Sequence, residues 1–197
     1  MLQLPRAHDG DPGEGYGLMT APMVTPDTVQ HINVKVFVDN AADVHLEDAI
    51  PVFHQWIRDT VTPELLIDVA DYLHVPQGPG ILLIGHEANY SLDEREGRVG
   101  LLYNRKAELD GDFQSRLEQA HAAALAACER LEKDPAFGGK LKFDRNALEV
   151  FVNDRLLAPN TDETWHALKP ELEKYFAGAK IARSGEPRDL FRVTVSK

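Results

Sequence analysis

Apolar and polar residues begin to alternate at His31, and this alternation predicts a β-strand with one buried side. Ile32, Val34, Val36 and Val38 occupy that side. The next apolar residues recur every three or four positions, which is the spacing of a helix: Leu46, Ile50, Phe53 and Ile57. Pro51 interrupts this spacing. The helix is therefore expected either to kink at Pro51 or to begin near Asp48.

Three further segments are rich in strand-forming residues, namely 64–75, 80–91 and 98–106. Turn-forming residues connect them, with prolines and glycines at 75–80 and charged residues followed by a glycine at 93–97. Together these segments predict an antiparallel meander.

A long helix is predicted from about Gly111 to Lys133, where Asp134 and Pro135 end it. Its segment 121–127 is rich in alanine, a strong helix former that permits close packing. The residues expected to form its buried stripe are Phe113, Leu117, Ala120, Ala124, Cys128 and Leu131.

The last 58 residues predict a ββαββ unit. A turn at 144–146 separates the first two strands, and the helix is expected to begin after its cap Asn160 and to end at Gly178. The four strands are predicted at 140–143, 148–152, 179–183 and 190–195.

Strands that follow one another as hairpins favour an α+β fold over a doubly wound α/β fold. The prediction is a mostly antiparallel sheet of about seven or eight strands with three helices packed on one side. Residues 31–197 are expected to form this single domain. Residues 1–30 hold four of the 14 glycines and four of the 12 prolines and lack apolar periodicity, so they predict a flexible N-terminal arm.

Composition and charge narrow the classes of partner. The formal net charge of -11 disfavours nucleic acids and anionic membrane surfaces. No apolar run approaches the roughly 20 residues of a membrane helix, and the first residues do not resemble a secretion signal. The single cysteine, Cys128, cannot form an internal disulfide, so we expect a soluble protein in the reducing cytoplasm.

Known catalytic and cofactor motifs are missing from the sequence. It contains no phosphate-binding loop, no dinucleotide fingerprint and no nucleophile elbow. The stretch from His86 to Tyr90 begins like a zinc-protease motif but ends in tyrosine, so the second imidazole is missing. Cys128 lies on an apolar stripe and is expected to be an inert thiol. We therefore predict neither a metal nor another cofactor.

One group of polar residues lies inside the predicted hairpin of 64–75 and 80–91. If this hairpin closes around Gln77 and Gly78, Asp71 lies opposite Ile84 and is a diagonal neighbour of His86 on the core face. Asp68 and Glu87 then lie opposite each other on the second face, beside Asn89. The core face in this register comprises Leu65, Ile67, Val69, Leu73, Leu82, Ile84, Ala88 and Tyr90.

This register suggests two kinds of chemistry. Asp71 could orient His86 as a general base, with Tyr90 as a proton donor or as a group that hydrogen-bonds the substrate. Alternatively Asp68, Glu87 and Asn89 could bind a ligand, or the two carboxylates could share a divalent cation. Each has a structural alternative, because a buried Asp–His pair often satisfies only itself and carboxylates on a sheet face are often solvated.

Three functions remain open at this point. The absence of a complete catalytic signature favours a non-catalytic module that binds a small molecule or forms a homodimer. The second is an enzyme that uses Asp71, His86 and Tyr90 for acid–base chemistry, or Asp68 and Glu87 for metal-assisted hydrolysis. The third is a structural interaction protein that docks through the alanine-rich helix. Neither a nucleic acid nor a membrane is expected as a partner.

Overall fold

A computed structural model describes residues 24–197 of the protein. It contains a single eight-stranded antiparallel sheet and three α-helices, so the predicted α+β class is confirmed. The helices are α1 (Ala49–Asp59), α2 (Phe113–Lys133) and α3 (Asp162–Tyr175). The strands are β1 (Ile32–Val38), β2 (Leu66–Asp71), β3 (Ile81–Gly85), β4 (Ala88–Asp93), β5 (Gly100–Arg105), β6 (Phe143–Val152), β7 (Lys180–Ser184) and β8 (Phe191–Ser196). Their order across the sheet is β2-β3-β4-β5-β1-β6-β8-β7.

The core lies between one face of the sheet and the three helices. On β1 this helix-covered face carries Ile32, Val34 and Val36, as the alternation predicted, and all three side chains are buried. The neighbouring strands continue the face, since Val34 pairs with Tyr103 of β5 and with Val150 of β6. The intervening residues of each strand form the second face of the sheet.

Helix α1 begins at Ala49 with Asp48 as its N-cap residue. Of the two sequence alternatives at Pro51, the later start is therefore correct. Pro51 is the third residue of the helix, where its missing N–H removes no intrahelical hydrogen bond. The helix ends at Thr60, whose left-handed conformation (φ 50°) turns the chain toward β2.

Helix α2 has the bounds and the buried stripe that its spacing predicted. Asp112 caps it by accepting a hydrogen bond from the backbone N–H of Ser115 (2.8 Å). Cys128 is fully buried within this stripe, as expected, and burial raises the pKa of its thiol.

The segment predicted as one strand over 80–91 is two strands. The chain reverses at His86 and Glu87, between β3 and β4, so the meander has four strands rather than three. Gly85 precedes this turn and is its signal in the sequence, because a Cβ atom at this position would lie 2.4 Å from the carbonyl oxygen of Ala88. A single glycine within an apolar run did not distinguish a chain reversal from a continuous strand.

The hairpin predicted around 144–146 is also wrong. Residues 143–152 form one strand, β6, so the C-terminal unit is βαββ. The pairing of β6 with β1 shifts register between Val36 and Val38, and this irregularity accommodates the polar residues without a chain reversal. Arg145 is held there by a salt bridge to Glu132 of α2 (2.6 Å).

Most of the predicted N-terminal arm, residues 1–23, lies outside the described residues. The remainder of the predicted arm, residues 24–30, packs on the domain, because Val29 is fully buried. The guanidinium of Arg116 donates hydrogen bonds to the backbone carbonyls of Asp27 (2.8 Å) and Val29 (3.0 Å). Within residues 24–197, no helix has both the length and the apolarity to cross a membrane.

Candidate functional site

The predicted register of the β2–β3 hairpin is wrong. Asp71 lies opposite Ile81 rather than Ile84, and Asp68 lies opposite Ile84. Two features cause the displacement: a bulge between Leu66 and Asp68, and a hairpin loop closed by a hydrogen bond from the N–H of Tyr72 to the carbonyl of Gly80. When the register shifts by an odd number of residues, the side chains of a strand move to the opposite face of the sheet. Leu65 and Ile67, which were predicted to be core residues, are accordingly 62% and 55% exposed.

Asp71 and His86 do not form the predicted pair. Asp71 ends β2 opposite the first residue of β3, whereas His86 follows the last residue of β3. The carboxylate of Asp71 accepts the backbone N–H of Leu73 (2.8 Å). The exposed imidazole of His86 lies 3.3 Å from the carboxylate of its neighbour Glu87, its one side-chain hydrogen-bond partner within residues 24–197. The proposed orientation of a histidine base by Asp71 is therefore absent from this structure.

Asp68 and Glu87 are not opposite each other either. Asp68 accepts the N–H of Val69, Glu87 accepts the N–H of Leu65 (3.0 Å), and Asn89 accepts the N–H of Gly85 (3.2 Å). The hydrogen bond from Leu65 lowers the pKa of Glu87. Among residues 24–197, no group of three or more His, Cys, Asp or Glu side chains is arranged to hold a metal ion.

Among the predicted site residues, Tyr90 belongs to a buried cluster of hydrogen-bonded polar side chains. It is buried on the helix-covered face, directly opposite Tyr103 of β5. Both hydroxyl groups donate hydrogen bonds to the carboxylate of Glu64, Tyr90 at 2.9 Å and Tyr103 at 3.0 Å. Glu64 is 4% exposed and lies in the segment that connects α1 to β2.

Sequence reasoning missed Glu64. A glutamate after a proline at the edge of an apolar segment usually belongs to a solvated loop, and its partners are 26 and 39 residues away. The one available signal was a pair of tyrosines on the buried side of neighbouring strands, because buried phenol groups need hydrogen-bond acceptors.

Burial sets the protonation of the two tyrosines. It raises the pKa of Tyr90 far above its ordinary value, and the charge of Glu64 raises it further. Burial also raises the pKa of Tyr103 to about 12, although a hydrogen bond from Gln119 opposes the rise. Both phenol groups therefore keep their protons at neutral pH.

The hydrogen-bond directions in this cluster follow from the two tyrosines. Each hydroxyl group has a single proton and donates it to a carboxyl oxygen of Glu64. The oxygen of Tyr103 then accepts from the side-chain N–H of Gln119 (2.9 Å). This assignment fixes the amide of Gln119 and leaves its Oε1 atom buried, with no hydrogen-bond partner among the described residues.

A cavity of about 300 Å³ lies next to this cluster. One wall is a second stripe of α2, beside the core stripe, and the other is the segment that precedes Glu64. Pro63, Ala122 and Ala126 are exposed, so the cavity opens to solvent. The residues that line it are Val61, Thr62, Pro63, Tyr90, Gln119, Ala122, Ala123, Ala126, Ala127 and Arg130.

Arg130 is the charged residue of the cavity wall. It makes no salt bridge within residues 24–197, and its positive charge slightly opposes the rise in the pKa of Tyr90. The wall contains no His, Cys, Asp, Glu or Ser side chain. The cavity wall thus combines apolar surface with the hydrogen-bonding side chains of Thr62, Tyr90, Gln119 and Arg130.

A second polar cluster lies on the second face of the sheet. The buried ammonium of Lys35 and the guanidinium of Arg95 each contact Asp93 at 2.6 Å, and Arg192 lies 3.8 Å from Glu149. The cavity beside them is only about 40 Å³, which has room for water but not for an organic ligand. We interpret this cluster as structural.

Comparison with models of known protein families gives no match, and comparison with curated proteins gives none either.

Proposed function

We propose that the protein is a non-catalytic module that binds a small, mainly apolar molecule in the cavity beside α2. The observation that carries this proposal is an apolar cavity of about 300 Å³ whose wall also includes the polar residues Tyr90, Gln119 and Arg130. Small-molecule sites are typically apolar clefts with a few convergent polar groups.

The alanines of α2 create the space. Ala122, Ala123 and Ala126 lie on the cavity wall, where leucines at the same helical positions would fill much of the volume. The size is at the lower end of the range of about 300–1,000 Å³ seen for ligand pockets. A molecule of one or two rings fits such a space better than a nucleotide does.

The enzymatic alternative has less support. The two other proposed catalytic residues, Asp71 and His86, are at opposite ends of the β2–β3 hairpin, away from the cavity wall. The proton of Tyr90 is held by Glu64, and a pKa raised by burial makes this phenol a poor proton donor at neutral pH. Catalysis by these residues and a cytoplasmic location both stay predictions.

The test is ligand-induced stabilisation with a variant that fills the cavity. Ala123→Leu places a larger side chain on the cavity wall, and Ala167→Leu makes the same change on α3, outside the cavity. A set of small aromatic and aliphatic molecules is screened against all three proteins by thermal unfolding. A molecule present at about 100 times its Kd stabilises the protein by about 2.7 kcal/mol, which raises Tm by roughly 5–10 °C.

The expected result is a rise in Tm for the wild type and for Ala167→Leu, and a much smaller rise for Ala123→Leu. Equal stabilisation of Ala123→Leu and the wild type would show that the molecule binds elsewhere. If no molecule in the set stabilises the wild type, the proposal fails.

Self-association is the second candidate, and one observation favours it. Strand β2 is at the end of the sheet order, so one of its edges lacks a neighbouring strand, and the adjacent Leu65 and Ile67 are largely exposed. Such an edge can pair with the same edge of a second copy of the chain.

A further inference from the structure

We propose that the ligand of the cavity is a small apolar monocarboxylic acid, whose body lies against the alanines of α2 and whose carboxylate pairs with Arg130. This inference rests on the proposed binding function and names the chemical class of its ligand. Arg130 lies in the last turn of α2 and is the only charged residue among those described that line the cavity.

The side chain of Arg130 is accessible to a ligand in the cavity. It is exposed to solvent, and it lines the cavity together with Ala126 and Ala127, which lie one turn earlier on α2. Its positive charge also acts on Tyr90 of the same wall, because it opposes the rise that burial causes in the pKa of this tyrosine. The charged end of Arg130 is therefore close to the apolar surface, and one small molecule can contact both.

The glutamates next to Arg130 on α2 already have other partners. Glu129 pairs with Lys133 at 3.8 Å. Glu132 pairs with Arg145 of β6 at 2.6 Å. Arg130 itself makes no salt bridge in the described part of the chain, so a carboxylate on the ligand supplies the partner that it lacks.

A single guanidinium on the wall favours a carboxylate over other charged groups. Its parallel N–H donors match the two oxygens of a carboxylate. A dianion such as a phosphate monoester would keep one unpaired negative charge, in a protein whose formal net charge is -11. An ammonium group would meet the positive charge of Arg130. The buried carboxyl group of Glu64 is not on the wall, and its two oxygens already accept tyrosine hydroxyl groups.

The experiment uses three matched probes: 2-naphthoate, 2-naphthamide and 2-naphthamidine. They share a two-ring apolar body and a planar head group, but at neutral pH the first is an anion, the second is neutral and the third is a cation. Their affinities for the full chain are measured by calorimetry at low salt. The wild type is expected to bind naphthoate about fivefold more tightly than naphthamide, which is the upper end for an ion pair at an exposed site, and to bind naphthamidine most weakly.

Two substitutions test whether Arg130 causes the preference. Arg130→Gln removes the charge at an exposed position and is expected to reduce the preference for naphthoate over naphthamide to below about twofold, with the affinity for naphthamide maintained. Arg188→Gln makes the same change in net charge at an exposed position between β7 and β8, outside the cavity, and should keep the wild-type preference. High salt should weaken the preference of the wild type, because it screens the ion pair.

Failure of this inference and failure of the proposed function give different results. Equal binding of naphthoate and naphthamide to the wild type, with binding of both lost in Ala123→Leu, overturns the carboxylate preference and leaves the binding function in place. A preference for naphthoate that survives in Arg130→Gln shows that another group holds the carboxylate, and it also overturns the inference. If none of the three probes binds the wild type, the inference fails as well, and the thermal screen of the wider set decides the binding function.

Discussion

Glu64 is the residue on which the candidate site depends most. It brings one buried carboxylate to two phenol groups on neighbouring strands, and it thereby connects the end of α1 to β4 and β5. The aromatic rings reinforce this connection, because Trp56 of α1 packs edge to face against Tyr90 with their ring centroids 6.2 Å apart. Tyr90 therefore belongs both to the cavity wall and to the core of the domain.

Replacement of the Glu64 carboxyl group by an amide should destabilise the fold. Glu64→Gln keeps the volume of the side chain but leaves at least one buried tyrosine with a poorer acceptor, so we expect a loss of about 1–3 kcal/mol in the free energy of unfolding. Urea denaturation measures this loss. Glu87→Gln, in the β3–β4 turn, is the control and should change stability by less than about 1 kcal/mol. Equal effects of the two substitutions would contradict the importance of the buried cluster.

Two glutamates with opposite pKa shifts predict opposite effects of pH on stability. Burial raises the pKa of Glu149, although Arg192 opposes the rise. Its folded state therefore holds a proton more tightly than its unfolded state, and stability decreases as pH rises through the folded pKa. Burial would also raise the pKa of Glu132, but hydrogen bonds from Arg145 and from the N–H of Phe143 outweigh it and lower the pKa. Glu132 thus stabilises the fold above its unfolded pKa, and this stabilisation is lost as pH falls.

The corresponding glutamine variants should therefore change the free energy of unfolding in opposite directions. At pH 7, Glu149→Gln is expected to increase the free energy of unfolding and Glu132→Gln to decrease it. Both differences should shrink at about pH 3, where the carboxyl groups of the unfolded chain are protonated. Urea denaturation at the two pH values is the measurement. The same sign for both variants at pH 7 would show that burial does not dominate at Glu149.

At the scale of elements, the β2–β3 hairpin decides which polar residues meet. Its loop and its bulge place Asp71 and His86 at opposite ends of the hairpin, where Asp71 accepts the N–H of Leu73 and His86 contacts Glu87. Strand alternation alone would permit either face of β2 to be buried, because the loop rather than the pattern determines the register.

A double-mutant cycle tests this register. Asp71→Asn and His86→Gln should each change the free energy of unfolding by less than about 1 kcal/mol, and their effects should add within about 0.5 kcal/mol. Both substitutions keep the approximate size of the side chain, and urea denaturation reports the coupling. A coupling energy above about 1 kcal/mol would mean that the two side chains touch.

Removal of residues 24–30, in addition to residues 1–23, is expected to destabilise the domain. Two deletions, of residues 1–23 and of residues 1–30, differ only in this segment, which contains buried Val29 and the carbonyl groups that bind Arg116. The longer deletion should therefore be less stable than the shorter one by about 2 kcal/mol or more, given the burial of one valine and the loss of hydrogen bonds. Thermal unfolding of the two proteins measures the difference. Equal Tm values would show that the flexible arm extends to residue 30, as the sequence indicated.

At the scale of the whole molecule, the sheet has one edge at β2 that combines apolar and acidic residues. Leu65 and Ile67 offer apolar contact to a second copy, whereas Asp68 and Asp71 would repel their counterparts across a two-fold axis. Association through this edge should therefore strengthen with added salt, which screens the repulsion.

Sedimentation velocity tests the association. The wild type is expected to form dimers at high micromolar concentration, and Ile67→Lys should keep the chain monomeric because it places a charge at the edge. Leu156→Lys is the matched control, since Leu156 is 83% exposed and lies outside the sheet edge. A monomeric wild type at high salt, or an equal effect of the two lysine variants, would contradict a dimer through β2.

The sequence by itself determined the parts of the fold that depend on local periodicity. The alternation in β1 and the stripe of α2 each span enough residues for the period to show which side packs between the sheet and the helices, although the second side of β1 is buried as well. Hairpin-like connections likewise indicated an antiparallel α+β sheet, and the apolar stripe indicated a buried Cys128. These properties follow from the geometry of one element at a time.

Tertiary structure alone decided the register of β2, the separate strands β3 and β4, and the continuous strand β6. It also decided the candidate site, of which the sequence indicated only Tyr90. Glu64, Tyr103 and Gln119 come from three distant parts of the chain, and their alignment depends on how α1 and α2 pack on the sheet. The physical reason is that a hydrogen bond between distant residues leaves no period in the sequence, whereas the burial of a helix face does.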